Sequence, residues 1–185
     1  MTFCAAPFVH MVQNPDGQFR TCCMYQQPLK GKYSNIKEAF DSEENNIIRK
    51  RMLSGEKLKE CEKCDIDEMH EGKIKKSYRG EFNRLYGDFV DFPKFKYLEI
   101  STSNRCNFKC ISCGPRFSNQ YGQTIDNELP AKENFEDVVS LKILGGEPFL
   151  DKRNISLLET VPRQQINLMV VTNNSIFPNQ YTLDL

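Results

Sequence analysis

An α/β chain is predicted: a small α+β module in the N-terminal part, followed by a βαβαβ unit with a parallel sheet. Three observations predict it. Strand-like apolar runs at 96–101, 139–144 and 166–171 alternate with polar crossover segments, the pattern of parallel strands joined by helices. Five of the eight cysteines fall within the first 64 residues, among short turn and helix signals. The distinctive motifs, a cysteine triplet, "GGEP" and "TNN", each follow one of the three runs. That is where parallel sheets carry their ligand sites.

The elements follow in order. "PFVHMVQ" and "QFRTCC" flank "NPDG", where Pro15 presets its φ and Gly17 accepts a positive one, so a hairpin is expected across residues 8–23. Asn35 followed by Glu38 resembles a capping box. Ser42 with acidic residues behind it opens a second helix that Gly55 stops. The chain then reaches "CEKC" at 61–64. Residues 65–95 are charged, with scattered aromatics and no clean period. They read as a connector, with Lys73, Lys75, Lys76 and Arg79 on a solvated face. Domain limits are expected at 1–75 for the module, 76–95 for the connector and 96–185 for the βαβαβ unit. Residues 118–129 and 152–161 are the expected crossover helices.

Composition narrows the function. The chain has 185 residues with 25 basic and 25 acidic side chains, so bulk charge gives no argument for a nucleic-acid partner. No apolar run reaches bilayer-spanning length, and no Lys or Arg precedes Arg20, so a secretory signal has no basic start. A cytoplasmic location is expected. In that reducing setting, eight cysteines point to metal or redox chemistry rather than disulfides. His10 and His70 read as surface or satisfied residues. There is no Ser-His-Asp set, no phosphate-cradling glycine loop and no recognisable acid–base pair of carboxylates.

Cys106, Cys110 and Cys113 in "CNFKCISC" are three ligands where a closed zinc site or a fully ligated cluster takes four. Three thiolates can hold a [4Fe–4S] cluster and leave one iron open. With "GGEP" at 145–148 downstream, the chain resembles the radical S-adenosylmethionine (radical SAM) superfamily. The resemblance implies that S-adenosylmethionine binds the open iron and is cleaved reductively to a 5′-deoxyadenosyl radical. It makes Cys106, Cys110 and Cys113 the cluster ligands and puts Gly145, Gly146, Glu147, Pro148 and Asn173 at the cofactor. The family's aromatic residue before the last cysteine is replaced by Ser112, which shifts the adenine contact towards Phe108. The family core is a six-stranded partial (β/α) barrel, and this sequence supplies three strands. The chain is therefore expected to be a fragment or half of a split enzyme, inactive by itself. A zinc knuckle or unconnected thiols are the alternatives for the triplet.

Cys4, Cys22, Cys61 and Cys64 supply four thiolates for a closed site. Their spacing, with Gly17 before Cys22 and a later C-x2-C, resembles the SPASM/twitch auxiliary-cluster module, here placed before the barrel rather than after it. The resemblance implies an auxiliary [4Fe–4S] or [2Fe–2S] cluster. Cys22 is preferred to Cys23 because the G-x4-C spacing points to it. A structural zinc site is the alternative. The expected function is radical modification of a peptide, protein or other biomolecule, with a reductant such as flavodoxin or ferredoxin. The rival is a non-enzymatic binding module stabilised by zinc or a cluster.

Overall fold

The structure, a computed structural model, describes residues 2–71, 77–91, 93–162 and 166–185. The chain is α/β and divides into two units, Met1–Val12 with Phe19–Lys96, and Gln13–Gln18 with Tyr97–Leu185.

In the first unit, α1 (Ala6–Val9) is a single turn with proline at its start, followed by β1 (His10–Gln13). After the turn comes β2 (Phe19–Arg20). The expected turn is present: Gly17 has φ +77°, and its N–H donates to the Asn14 carbonyl at 3.0 Å. The hairpin is shorter than expected because Pro7 begins a helical turn, and Cys22 and Cys23 lie beyond β2. Helices α2 (Ile36–Asp41) and α3 (Glu43–Leu53) start where predicted. The Asn35 side chain accepts from the Glu38 N–H, and that of Ser42 accepts from the Asn45 N–H. Their inner faces bury Ile36, Phe40, Ile48 and Met52. The Arg49 guanidinium lies 4.3 Å over the Phe40 ring, and its Nε donates to the Pro7 carbonyl at 2.8 Å. His10, expected at the surface or satisfied, is fully buried and stacks on Phe82 with ring centroids 5.0 Å apart.

The segment read as an irregular connector is largely helical. α4 (Glu62–Glu71) begins at the second cysteine pair, and α5 (Tyr78–Tyr86) is capped by Ser77, whose side chain accepts from the Gly80 N–H. Its hydrophobic period is obscured because buried polar pairing replaces apolar packing. Arg79, expected on a solvated face, is 3% exposed. It pairs with Asp65 at 2.8 Å and Glu68 at 2.9 Å. Lys73, Lys75 and Lys76 lie outside the described residues, as does the His70 side chain.

The second unit is built on β3 (Tyr97–Ser101), β4 (Ser140–Leu144) and β5 (Asn167–Val170). All three expected strands are present, and both pairings are parallel, with Leu98 beside Leu141 and Ile143 beside Val170. Glu99 and Lys142 are register partners, and their side chains form a largely buried ion pair at 3.3 Å. Leu98, Ile100, Leu141, Ile143 and Leu157 form the core. The second crossover contains the expected helix, α6 (Lys152–Thr160), and α7 (Gln180–Leu183) follows β5. The first crossover differs from expectation: residues 118–129 form a 3-10 turn at Asn119–Tyr121 and then irregular chain with no α-helix. Buried Asn104 is the reason. Its amide donates to the Pro115 and Gln123 carbonyls at 2.8 and 2.9 Å and accepts from the Ile125 N–H at 2.8 Å. The backbone groups a helix would use are thereby engaged elsewhere.

Asp151 caps α6. Its carboxylate accepts from the Arg153 N–H at 3.0 Å and the Ser103 hydroxyl at 2.6 Å. Burial alone would raise its pKa, but the hydrogen bonds from Ser103 and Arg153 outweigh it and hold the carboxyl below its ordinary value. Removing the cap and orphaning a buried hydroxyl should cost about 1–3 kcal/mol, measured for Asp151→Ala by urea unfolding of the whole chain. Because the folded pKa is depressed, this stabilisation is present above the unfolded carboxyl value of about 3.9 and is lost as pH falls through the lower folded value. Asp151→Asn should flatten that acid limb, and an unchanged limb would assign it to other carboxylates.

Candidate functional site

Residues 105–114 follow β3 as a loop closed on itself, with the Cys113 N–H donating to the Cys110 carbonyl at 2.9 Å. Cys106 is buried, Cys113 half-buried and Cys110 exposed. The inner end of the loop is held from the crossover. The Cys106 N–H donates to Asn119 Oδ1 at 3.0 Å, and Gln120 Nε2 donates to the Cys106 carbonyl at 2.9 Å. The loop thus presents one sheltered and two more accessible thiols, with exposed Phe108 and Ile111 between them.

The "GGEP" segment packs directly on this loop. A Cβ at Gly145, whose φ is +132°, would lie 2.6 Å from the Ser103 carbonyl oxygen. One at Gly146 would collide with the Arg105 carbonyl. The Glu147 N–H donates to that same carbonyl at 2.7 Å. The glycines therefore have a local reason, the close approach of the cysteine loop's backbone. The Glu147 carboxylate is 1% exposed and turned inward. It accepts from the Thr172 hydroxyl at 2.8 Å, the Asn173 N–H at 2.8 Å and the Phe149 N–H at 3.1 Å. Asn173 then reaches the loop, its Nδ2 3.1 Å from Asn107 Oδ1 and 3.8 Å from Cys106 Sγ. Cys106, Gly145–Glu147 and Asn173 are thus brought together at three strand ends, and Pro148 opens the 3-10 turn that follows. Ser175 completes the contact, receiving a 2.8 Å hydrogen bond from Asn107 Nδ2.

The second cysteine set lies wholly in the first unit. Cys4, Cys22, Cys61 and Cys64 border a small cavity of about 20 Å³, together with Ala6, Pro7, Thr21, Met24, Tyr25, Met52 and Arg79. Cys23 does not line it. Burial pushes the Cys4 thiol up to about 12 and that of Cys61 up to about 11. Cys64 is raised by burial too, and Cys22 is raised by its hydrogen bond with Cys23 and then by burial. These thiols are neutral at ordinary pH, so holding them as thiolates requires a compensating cation. Among the described residues no His, Cys, Asp or Glu group of three or more is gathered closely enough for one metal ion. Four cysteine thiols around one cavity are the donor set of an iron–sulfur cluster or of a structural zinc site.

Sequence reasoning missed Asn104, Asn119, Asn107 and Ser175 around the triplet, and Asp65, Glu68 and Arg79 around the four thiols. Asp65 and Glu68 stand three apart on α4, so they share a face. That spacing was the available signal.

No family model matches the chain, and no solved structure matches it. Curated relatives do. The chain is 31% identical over 105 residues to GTP 3′,8-cyclase of Campylobacter lari, covering 51% of this chain and 31% of that enzyme. It is 33% identical over 90 residues to GTP 3′,8-cyclase of Campylobacter jejuni, covering 43% and 28%. It is 30% identical over 98 residues to that of Clostridium acetobutylicum, covering 48% and 30%. The matched stretch thus spans about a third of these relatives. The similarity to these GTP 3′,8-cyclases supports the resemblance to the radical SAM superfamily in general. It does not support the expected peptide or protein substrate. No described helix is long and apolar enough to cross a membrane.

Gly146 offers a direct check on the packing. Gly146→Ala must push the Arg105 carbonyl aside and should cost about 1–3 kcal/mol, whereas Gly114→Ala, with open space around it, should change stability little. Comparable urea midpoints for the two variants would refute the close approach.

Proposed function

We propose that the chain is the cluster-binding part of a radical SAM enzyme that modifies a small organic molecule. Cys106, Cys110 and Cys113 would hold a [4Fe–4S] cluster with one iron free of protein ligands. Bound there and reduced, that cluster would supply the electron that cleaves S-adenosylmethionine to a 5′-deoxyadenosyl radical. The observation that carries this reading is the joining of three strand ends at Cys106, through the Glu147 N–H on the Arg105 carbonyl and the Asn173 amide by the Cys106 sulfur.

The protein's part is to bind and orient. Gly145, Gly146, Glu147 and Pro148 would form the edge along which S-adenosylmethionine lies. Glu147 would hold that edge in place, since its N–H bonds the Arg105 carbonyl and its carboxylate is taken up by Thr172 and Asn173. Asn173 would steady the cluster through the Cys106 sulfur. The exposed Phe108 ring offers an apolar surface for an adenine. A small-molecule substrate is favoured over a peptide because the relatives are named for a reaction of GTP. A low-potential reductant such as flavodoxin or ferredoxin would deliver the electron.

Cys4, Cys22, Cys61 and Cys64 would hold a second, fully ligated iron–sulfur cluster in a SPASM/twitch-like module. The support is the cavity they share and the neutrality burial imposes on them without a cation.

Two measurements test this. Adding S-adenosylmethionine to the reduced, anaerobically reconstituted chain should alter the EPR spectrum of the cluster at the triplet and leave the other signal nearly unchanged. An unchanged spectrum throughout would sink the open-iron reading, and bound zinc in place of iron would favour a binding module. Separately, Cys22→Ala should lose the iron of the first unit, whereas Cys23→Ala should retain it. The reverse result would exchange the two assignments.

A further inference from the structure

The four-thiol cavity has one charged side chain in its wall, Arg79. Arg79 is 3% exposed, so its guanidinium meets the cavity and its ion-pair partners instead of water. Asp65 Oδ1 lies 2.8 Å from Arg79 Nη2, and Glu68 Oε2 lies 2.9 Å from Nη1. Glu68 is itself oriented by a 2.7 Å hydrogen bond from the Ser77 hydroxyl. Asp65 also faces the Lys57 ammonium at 3.6 Å, from an exposed side chain. The backbone N–H of Arg79, in the first turn of α5, hydrogen-bonds the Cys64 thiol. One residue therefore touches the cysteine set twice, by a sulfur hydrogen bond and by a buried positive charge.

A buried guanidinium needs only one well-placed carboxylate to offset its desolvation. Arg79 has two, so the trio carries a net charge of about −1 where thiolates would add more negative charge. Within such an arrangement the guanidinium is the group that moderates repulsion between a bound anionic cluster and the two carboxylates. The reduced state, richer by one electron, gains most from it. Reduction potentials of iron–sulfur clusters follow net charge, hydrogen bonds to sulfur and solvent exposure, and Arg79 acts on the first two.

We infer that Arg79, positioned by Asp65 and Glu68, sets the reduction potential of the group held by Cys4, Cys22, Cys61 and Cys64, raising it relative to the same site without a buried cation. This rests on the reading that those cysteines hold an iron–sulfur cluster. Arg79 is a positioning residue here and takes no part in bond making.

The test uses the full chain carrying Cys106→Ala, Cys110→Ala and Cys113→Ala, so that only the first unit can take a cluster, reconstituted anaerobically with iron and sulfide. Iron content and an EPR-monitored redox titration are read together. Arg79→Gln should shift the midpoint to more negative potential, reducing the reduced-to-oxidised ratio at fixed ambient potential about tenfold, which is about 59 mV for a one-electron couple. Glu68→Gln should shift it the opposite way, and Arg79→Lys should restore most of the parent value. A merely structural ion pair would give no such opposed shifts. If Arg79→Gln fails to retain iron, Glu68→Gln and Arg79→Lys decide alone. A midpoint unmoved in variants that retain iron overturns the role of Arg79 and leaves the cluster reading standing. A parent chain that takes up no iron at this site overturns both.

Discussion

The buried carboxylate of Glu147 is the constraint on which the second unit's candidate site depends. β5 buries little: Leu168 and Met169 are 48% and 56% exposed, so apolar packing does not fix where the strand ends point. Glu147 does. It draws in the Thr172 hydroxyl and the Asn173 N–H while its own N–H holds the Arg105 carbonyl. Hydrogen bonds to a buried charge are worth about 1.5–3 kcal/mol each. Gly146 is part of the same constraint, because any Cβ there would push the cysteine loop away. The three strand ends are thereby fixed together at Cys106.

The two cysteine sets solve different problems. The triplet sits on a loop with graded exposure, from buried Cys106 to exposed Cys110, and its backbone is held at Cys106 by Asn119 and Gln120 and, just past its end, at Pro115 by Asn104. A centre that admitted a second molecule, as proposed for the triplet, would require this compromise. The set of four lies in a mainly apolar cavity; burial raises Cys4, Cys61 and Cys64, and the hydrogen bond with Cys23, followed by burial, raises Cys22. Such a set has little reason to ionise until a cation arrives, and binding then couples to the order of the surrounding short helices.

Much of this was legible in the sequence. The three parallel strands, the α6 crossover, the caps at Asn35 and Ser42 and the Gly17 turn all follow from local chemistry. The cysteine triplet also lies where the strand pattern placed it. The first crossover was misread as a helix because its backbone is claimed by a buried side chain, Asn104, whose partners lie up to Ile125. No periodicity reports such long-range capture. The charged stretch after Cys64 was misread for a related reason. Arg79, Asp65 and Glu68 look like solvent-facing residues by type, and they are inside because they satisfy one another. The role of "GGEP" was only partly visible, since two glycines in a row do not disclose which backbone comes close.

Each unit thus organises its cysteines around a buried ion. In the second unit it is an anion, Glu147, whose hydrogen bonds join strand ends that apolar packing leaves loose. In the first it is a cation, Arg79, seated among carboxylates beside the thiols. The signs suit the tasks. A carboxylate can accept several backbone and hydroxyl donors at once, so it serves where chain ends must be joined. A guanidinium can only donate, so it suits a place beside two carboxylates and, on the proposed cluster reading, beside cysteine thiolates. Exchanging either for an apolar residue of similar size would leave its half-buried partners short of an interaction, a cost added to the lost contact itself. That asymmetry makes these two charged residues matter for the candidate ligands nearest them, Cys106 in one unit and Cys64 in the other.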